Sequence, residues 1–327
     1  MKINREALEK NQIIVYVAAL VLGVVLGALF PQGSPSLNAM ISPLLAVLLY
    51  SMFAQLPFLK LRKALVNRRF VAAILTTNFV IVPVVVWLLS YLLPQSTPVL
   101  IGVCLVLLTP CIDYVIVFTQ LGRGNEKLML AVTPILFVAQ MLLLPLYLKL
   151  IIGEAAANIV SAGPFLESFL ILIVLPLLVA IAVQLWAMNG KHGAAVLAGT
   201  AWLPVPFMAI VLFVIVASQI GKVYSELELI LAVVPVYLLY LFIMPLISRV
   251  MAHWFRLDDG AGRALLFSSG TRNSLVVLPL ALSLPGDWAM IASAVIVTQT
   301  IVELGAELVY IRIIPALLYR DSENTKR

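Results

Sequence analysis

The stretch ALLFSSGTRNSLVVLPLALSL at residues 264–284 decides the fold of this chain. Its flanks are apolar enough to lie in a bilayer, but residues 268–274 carry six polar side chains around Gly270. Glycine loosens a helix and Pro279 removes a backbone donor, so we expect an interrupted helix here. Within lipid, broken backbone is tolerated only where it faces protein or a wet cavity. The stretch therefore predicts a membrane-spanning helix with a functional break.

A second apolar stretch, VLIGVCLVLLTPCIDYVIVFTQL at 99–121, is interrupted in the same way by Pro110 and Asp113. Interrupted helices at matching positions are the best sequence indication of a transport site. We expect the two breaks to cross at mid-depth and to bring Asp113 and Arg272 together. An ionisable side chain at the bilayer centre costs about 2.5–3.5 kcal/mol on insertion scales, so it needs a partner or a function. A structural ion pair and a substrate or proton contact both remain open.

The composition requires lipid as the solvent. The 327 residues are 63% hydrophobic and 11% charged, with mean hydropathy +1.12, and a soluble domain has about twice that charge. The net charge of +6 forms no continuous basic stripe, so nucleic acid is not an expected partner. Ten apolar segments are long enough to span, each needing about 20 residues. They lie near 13–30, 37–59, 70–93, 99–121, 128–152, 166–188, 195–220, 228–248, 264–284 and 288–314.

The distribution of basic residues predicts the orientation. With a cytoplasmic N-terminus, 18 of the 21 Lys and Arg residues fall on the cytoplasmic side, and only Lys149 and Lys222 fall outside. The remaining one, Arg272, lies within the membrane. This asymmetry follows the positive-inside rule and predicts that both termini are cytoplasmic. The first segment is too long for a signal peptide and is expected to be retained, so the chain is predicted to be a multi-pass protein of the inner or plasma membrane.

Ten helices divide into two sets of five, 1–152 and 153–327. An odd number of helices per half makes the second half enter the membrane inverted, which is the plan of many secondary transporters. Helix 4 and helix 9 are then the interrupted helices of the two halves. The sequence thus predicts an all-α membrane protein with two inverted five-helix repeats that form one membrane domain.

The polar residues at the two breaks are the candidate substrate-binding residues. Half-helix N-termini present free N–H groups and positive dipole ends, and together with Arg272 they favour an anion or an electron-rich oxygen ligand. Each hydroxyl singly is expected to cap local backbone, whereas the cluster indicates a polar site. Glu303 in helix 10 is either a proton carrier or a structural acceptor. The other candidates at the breaks are Thr109, Ser268, Ser269, Thr271, Asn273 and Ser274, and Asn78 in helix 3 and Gln140 in helix 5 are further polar positions that could line the same cavity.

At these residues the sequence resembles the bile acid:sodium symporter and arsenite permease superfamily, over nearly the whole chain. The most specific parts of the resemblance are Asn78 with Pro83, residues 110–125, residues 270–281 and residues 301–303. The resemblance implies ten helices in two inverted repeats, panel and core subdomains each built from both halves, crossing helices 4 and 9, and alternating access.

Within the superfamily, helix 4 is most similar to the arsenite-extruding permeases, which carry a cysteine at the position of Cys111. The resemblance implies that Cys111 makes a passing soft contact with a metalloid, while small apolar packing is the alternative role. Pro110 and Leu275 stand where the permeases carry an arginine and a glutamate. Glu303 matches their helix 10 glutamate.

The sodium-coupled symporters place a glutamate and a glutamine around sodium at the positions of Ser268 and Arg272. A carboxylate is replaced and a fixed cation is gained, and two cations repel strongly at low dielectric. We therefore expect that the Arg272 guanidinium stands in for sodium, with proton coupling through Asp113 or Glu303. The candidate coupling-ion residues are Asp113, Glu303, Ser268, Ser269 and Asn78, and the candidate substrate-binding residues are Cys111, Asp113, Arg272, Asn273, Thr109 and Thr271.

The prediction is a secondary active transporter for a small anion or metalloid oxyacid, most simply arsenite-type efflux coupled to protons. Sodium-coupled symport of an organic acid is the alternative within transporters. A passive channel or a membrane sensor is the alternative from another class. An enzyme is not expected, because no base, nucleophile or metal-ligand cluster converges on one site, and no cofactor or metal is expected either.

Overall fold

A computed structural model describes residues 8, 11–29, 34–56, 67–112, 114–153, 167, 170–223 and 227–315. The regular elements in these ranges are helices, as predicted. In chain order they are α1 (Gln12–Leu29), α2 (Ser34–Gln55), α3 (Arg68–Ser90), α4 (Thr97–Leu107), α5 (Val115–Leu121), α6 (Glu126–Ile152), α7 (Leu170–Asn189), α8 (Lys191–Thr200), α9 (Pro204–Val223), α10 (Leu227–Trp254), α11 (Asp259–Gly270), α12 (Ser274–Leu282) and α13 (Asp287–Ile313).

Six helical stretches of the described chain are long and apolar enough to cross a membrane. They are α3, α6, α7, α10, α13 and the stretch Lys191–Ser218, which runs through α8 into α9; three shorter apolar helices accompany them. Large apolar side chains such as Leu142 and Trp254 are 73% and 75% exposed, as side chains that face lipid are. The chain is therefore an all-α multi-pass membrane protein. The ten-span topology, the inverted repeat and the cytoplasmic termini stay predictions, and residues 1–7 and 316–327 lie outside the described residues.

The chain forms two compact units. The first comprises residues 1–56, 163–227 and 282–284, and the second comprises residues 57–162, 228–281 and 285–327. Each unit thus draws on both halves of the sequence. These units are not the predicted repeats. The division of the chain into a first repeat at 1–152 and a second at 153–327 stays a prediction.

In the first unit, α9 packs against α1 and α2, and α7 packs against α2 and α8. The last carbonyls of a helix have no partner within the helix. At the end of α2, the side-chain amide of Gln184 in α7 is the hydrogen-bond donor for these carbonyls. Its Nε2 lies 3.2 Å from Phe53 O and Ala54 O and 2.7 Å from Leu56 O. A single buried glutamine therefore closes the C-terminal end of α2.

The predicted segment 195–220 begins earlier in the structure and is divided. Gly190, in extended conformation, is the single residue between α7 and α8, and α8 ends at Thr200 before α9 starts at Pro204. Proline is favoured in the first turn of a helix because its missing N–H would have no partner there. Lys191, which falls between the predicted segments 166–188 and 195–220, lies in the first turn of α8.

In the second unit, α13 packs against α4 and α5, and α11 packs against α3, α5 and α6. The approach of α4 to α13 is close. A Cβ added to Gly102 would lie 2.9 Å from Ala292 O, nearer than real Cβ atoms come to other atoms. Glycine is therefore required for this contact, which fixes α13 beside the first interruption.

Helix α3 contains one wide turn, which positions Asn78. Residues Thr77–Ile81 form a π-helical turn in which Val82 N–H donates to Thr77 O. Pro83 has no N–H to donate to Phe79 O four residues earlier, and the hydroxyl of Tyr147 donates to that oxygen instead, at 2.6 Å. Such π-turns occur often at functional sites, and this one places Asn78 in the core of the second unit.

Candidate transport site

The two interrupted stretches meet inside the second unit as one short antiparallel bridge. Cys111 N–H donates to Thr271 O at 3.1 Å, and Asn273 N–H donates to Thr109 O at 2.9 Å. Pro110 has no N–H, and both hydrogen bonds of the bridge are made by the residues on either side of it, Thr109 and Cys111. Backbone groups freed by one break are thus satisfied by the other, as buried backbone requires. The two breaks therefore meet, and their crossing at mid-depth as helices 4 and 9 of a ten-helix repeat stays a prediction. Pro279, expected to contribute to the second break, lies within α12.

The side chain of Arg272 is completely buried at this crossing. Its Nη2 donates to Asn78 Oδ1 at 2.8 Å, to Ser268 O at 2.8 Å and to Ser269 O at 2.6 Å. Its Nη1 donates to Leu107 O at 3.2 Å. All four of these partners are uncharged oxygens, so polar neutral groups hold the guanidinium in place.

Two of these oxygens are free because α11 ends where it does. In a continuous helix, Ser268 O and Ser269 O would accept from the N–H groups of residues 272 and 273. The N–H of Asn273 instead pairs across the bridge, and that of Arg272 donates to a carboxylate of α13. The guanidinium folds back and caps the negative end of α11, a favourable place for a cation. Tyr240 adds its ring face, 5.6 Å from the guanidinium carbon, and its hydroxyl donates to Ser269 O.

The carboxylate that receives Arg272 N–H belongs to Glu303, which is also completely buried. Glu303 Oε2 accepts from Arg272 N–H at 2.7 Å and from the side-chain amide of Gln299. Glu303 Oε1 accepts from the hydroxyl of Tyr114 at 2.7 Å. The sequence left open whether Glu303 is a structural acceptor or a proton carrier. Its contacts are those of an acceptor that anchors the second break, and the proton-carrier role stays a prediction.

Asp113 lies outside the described residues. Its predicted approach to Arg272, and its roles in substrate binding and ion coupling, therefore stay predictions.

The remaining predicted residues are buried in the same region of the second unit. Thr109 Oγ1 donates to Leu105 O at 2.8 Å, which is the local backbone bond expected for a single hydroxyl. Ser268 Oγ makes a longer-range contact, because it accepts from Asn78 Nδ2 at 3.1 Å. Cys111 is completely buried, and what its thiol contributes to a substrate stays a prediction.

Three consecutive residues, the two that precede α12 and the first residue of α12, carry buried polar atoms with no hydrogen-bond partner in the described part of the chain. They are Arg272 Nε, Asn273 Nδ2 and Ser274 Oγ. Buried polar atoms are almost always paired, so such a group of unpaired ones indicates a place for a ligand or water. Thr77 Oγ1 and both amide atoms of Gln140 are unpaired in the same sense.

Two buried charged residues escaped the sequence reasoning. Glu307 is completely buried on α13, and its Oε1 lies 2.8 Å from Thr271 Oγ1. The sequence could have indicated this burial, because Glu303 and Glu307 are four residues apart and therefore share a helix face. Arg263, which lies just before the predicted segment 264–284, is 4% exposed in α11, where its Nη1 donates to Arg123 O at 3.1 Å.

The comparison with protein families shows which family of membrane proteins the chain belongs to. The model of the Sodium Bile acid symporter family matches residues 42–226, more than half of the chain. The chain belongs to this family. No curated protein matches the chain in the corresponding comparison. The predicted superfamily is thus confirmed, and the chain is a multi-pass membrane protein of a family of transporters rather than enzymes.

The family match begins in α2 and ends after α9. It includes the first interruption together with Asn78, and it stops before the second interruption. Arg272 and Glu303 therefore lie beyond the matched residues.

Proposed function

We propose that this transporter is a secondary active carrier of a small anion or metalloid oxyacid, coupled to protons rather than to sodium. The observation that supports this proposal is the position of the Arg272 guanidinium. One nitrogen of it contacts three oxygens, from Asn78, Ser268 and Ser269, at 2.6–2.8 Å. A set of carbonyl and amide oxygens is what a hard cation such as sodium requires, and here a covalently attached cation occupies it.

A sodium ion added beside this guanidinium would meet a like charge. Two unit charges about 4 Å apart repel by about 4 kcal/mol at an effective dielectric of 20. That energy corresponds to a loss of about a thousandfold in affinity. By the resemblance to the sodium-coupled symporters, Ser268 also replaces the glutamate that would offset the charge of the ion. Both differences argue against sodium coupling at this position.

The unpaired groups at the start of α12 support an anionic or oxygen-rich substrate. Arg272 Nε and Asn273 Nδ2 are donors, and the hydroxyl of Ser274 can donate as well. They stand at a half-helix N-terminus, where the dipole also favours negative charge. Cys111, beside the crossing, adds the soft atom that an arsenite-type substrate would use. We place the substrate at this end of the crossing.

The proposal includes the architecture that the resemblance implies. Ten helices in two inverted repeats would form a panel and a core, with cytoplasmic termini, in an inner or plasma membrane. The fixed crossing would then be the element whose exposure alternates between the two sides. This arrangement is typical of secondary transporters with broken helices at the binding site.

Transport by purified protein in proteoliposomes tests the proposal. Arsenite, antimonite and a panel of small carboxylates are offered while the sodium and pH gradients are imposed independently. We expect a pH gradient to drive accumulation of a substrate, a proton-collapsing ionophore to abolish it, and a sodium gradient alone to have no effect. Transport that requires sodium and ignores the ionophore would contradict the proposal and support sodium symport of an organic acid, which the family name favours.

Two further measurements define the carrier and its site. Saturable counterflow is expected of a carrier, whereas a passive channel would show none. Ser274→Ala should weaken transport because it removes one of the unpaired groups. Ser218→Ala is the matched control, because this buried serine already bonds Ile215 O of its own helix. Equal effects of the two substitutions would contradict the placement of the substrate.

A further inference from the structure

Helix α13 carries two completely buried carboxyl groups one turn apart, those of Glu303 and Glu307. Glu303 receives three hydrogen bonds, from the hydroxyl of Tyr114, the backbone of Arg272 and the amide of Gln299. A carboxylate that accepts three donors is well stabilised as an anion even when buried. The backbone N–H and the side-chain amide donate to Glu303 whichever way the hydroxyl of Tyr114 points, so the ionised form of Glu303 is better stabilised than that of Glu307.

Glu307 has a different environment. Its Oε1 contacts only the hydroxyl of Thr271 among the described hydrogen bonds, and its Oε2 has no partner in the part of the chain that the structure describes. An ionised oxygen without a donor is costly in a low-dielectric interior. The ionised Glu303 on the next turn of the same helix adds repulsion. These contacts suit a neutral carboxylic acid, so Glu307 holds a proton in this conformation.

The hydroxyl of Thr271 can serve Glu307 in both protonation states. Thr271 Oγ1 lies 2.7 Å from Phe267 O and 2.8 Å from Glu307 Oε1, and it has a single proton to donate. When Glu307 is protonated, it donates to Thr271, which donates to Phe267 O. When Glu307 is ionised, the hydroxyl turns and donates to the carboxylate. Either state is therefore satisfied at Oε1 by rotation of one hydroxyl.

We infer that Glu307 is the proton-binding residue of this transporter and that Thr271 is the hydroxyl that follows its protonation. The inference rests on the proton coupling proposed above and names the residue responsible. Thr271 belongs to the second break, and its carbonyl accepts from Cys111 N–H of the first. A change at Glu307 is thus one hydrogen bond away from the crossing. The proton is taken from water on one side and released to water on the other, and no other reactant is consumed.

The charged and titratable groups around Glu307 are consistent with this role. Tyrosine hydroxyls stay protonated near neutral pH, so the net charge is set by the guanidinium and the two carboxyl groups. The described cluster is neutral with Glu307 protonated and carries one negative charge without the proton. Glu303 and Tyr310 on α13 interact with Glu307 directly, and Arg272 on the second break, Tyr240 on α10 and Tyr114 before α5 interact with Glu303.

Infrared difference spectroscopy locates the proton without any transport measurement. A buried protonated carboxyl group gives a separate C=O stretching band that shifts in heavy water. We expect this band in the wild-type protein and in Glu303→Gln, and we expect its loss in Glu307→Gln. A band that persists in Glu307→Gln and disappears in Glu303→Gln would overturn the inference.

The pH profile of counterflow tests the coupling. We expect it to become flat in Glu307→Gln and in Thr271→Val, and to persist in Thr271→Ser, which keeps the hydroxyl. Thr119→Val is the matched control, because the buried hydroxyl of Thr119 bonds only Val115 O in the described structure. Its profile should match the wild type.

The two proposals fail in distinguishable ways. If the wild type is driven by protons and both Glu307→Gln and Thr271→Val keep the wild-type profile, the assignment to Glu307 is wrong while proton coupling stands. If the infrared band belongs to Glu307 but a pH gradient drives no transport, the proposed coupling is wrong while the protonated site stands. Thr271→Val keeps the test decisive should Glu307→Gln not fold.

Discussion

Removing the guanidinium of Arg272 should turn its oxygen partners into a sodium site. Arg272→Ala leaves Asn78 Oδ1, Ser268 O and Ser269 O without the nitrogen that now lies 2.6–2.8 Å from all three. Sodium takes oxygen ligands of this kind, and the like charge that excludes it is gone. We therefore expect sodium to stabilise the variant and to leave the wild-type protein unaffected.

The magnitude follows from the contacts. Arg272→Ala leaves the buried oxygens Asn78 Oδ1 and Ser268 O without this donor. Each buried acceptor that loses its donor costs about 1–3 kcal/mol, so we expect a loss of about 3–5 kcal/mol. Sodium at about 100 times its dissociation constant would return about 2.7 kcal/mol, which is about half or more of the loss. The variant should therefore melt at a lower temperature than the wild type in choline and recover much of the difference in sodium.

The assay is thermal unfolding of the purified protein in detergent, followed by tryptophan fluorescence, in sodium, potassium and choline salts at equal ionic strength. Arg263→Ala is the matched control, because Arg263 is another buried arginine, located in α11, whose Nη1 donates to Arg123 O. It should lower the melting temperature without any preference for sodium. A wild-type protein that sodium stabilises as much as it stabilises Arg272→Ala would refute the reasoning, as would a variant that responds equally to all three salts.

Three further predictions follow from the same structure. The double substitution S268E/R272Q restores the carboxylate and amide of the sodium-coupled symporters, so proteoliposome uptake should gain a dependence on sodium that the wild type lacks; uptake that still ignores sodium would argue against the alignment. Cys111→Ala should slow arsenite efflux from loaded vesicles, and undiminished efflux would remove the thiol from the mechanism. Gly102→Leu should lower the melting temperature by the equivalent of about 1–3 kcal/mol or more, because the added side chain meets Ala292 O; an unchanged melting temperature would show that α4 and α13 separate freely.

The membrane character and the helical class could be predicted from the sequence because they depend on local properties. Apolar length sets the spans, and proline and glycine set the breaks, whatever the rest of the chain does. The breaks at Pro110 and Gly270 were predicted for this reason. In the structure Pro110 lies between α4 and α5, and Gly270 is the last residue of α11, just before the gap to α12. The sequence prediction treated α8 and α9 as one segment, because a continuous apolar run gives no sign of a turn of the backbone within it.

The site was predicted in part. Arg272, Asn78 and Ser268 were named as candidates, and the structure joins them through the guanidinium and the amide. The predicted carboxylate beside the guanidinium, that of Asp113, lies outside the described residues, and the partners that the structure describes are neutral oxygens. Those oxygens are mostly backbone carbonyls, which every residue has and which no sequence pattern marks.

The sequence by itself determined that this chain lies in lipid, that two of its spans are broken, and that ionisable residues stand at the breaks. Only the tertiary structure decided which atoms meet there. The helical spacing between Glu303 and Glu307 is enough to place Glu307 on the same helix face. Its unpaired oxygen and its contact with Thr271 depend instead on how α13 packs against the crossing. Hydrogen bonds reach only about 3 Å, so which groups pair is fixed by the packing of distant segments and not by the order of residues.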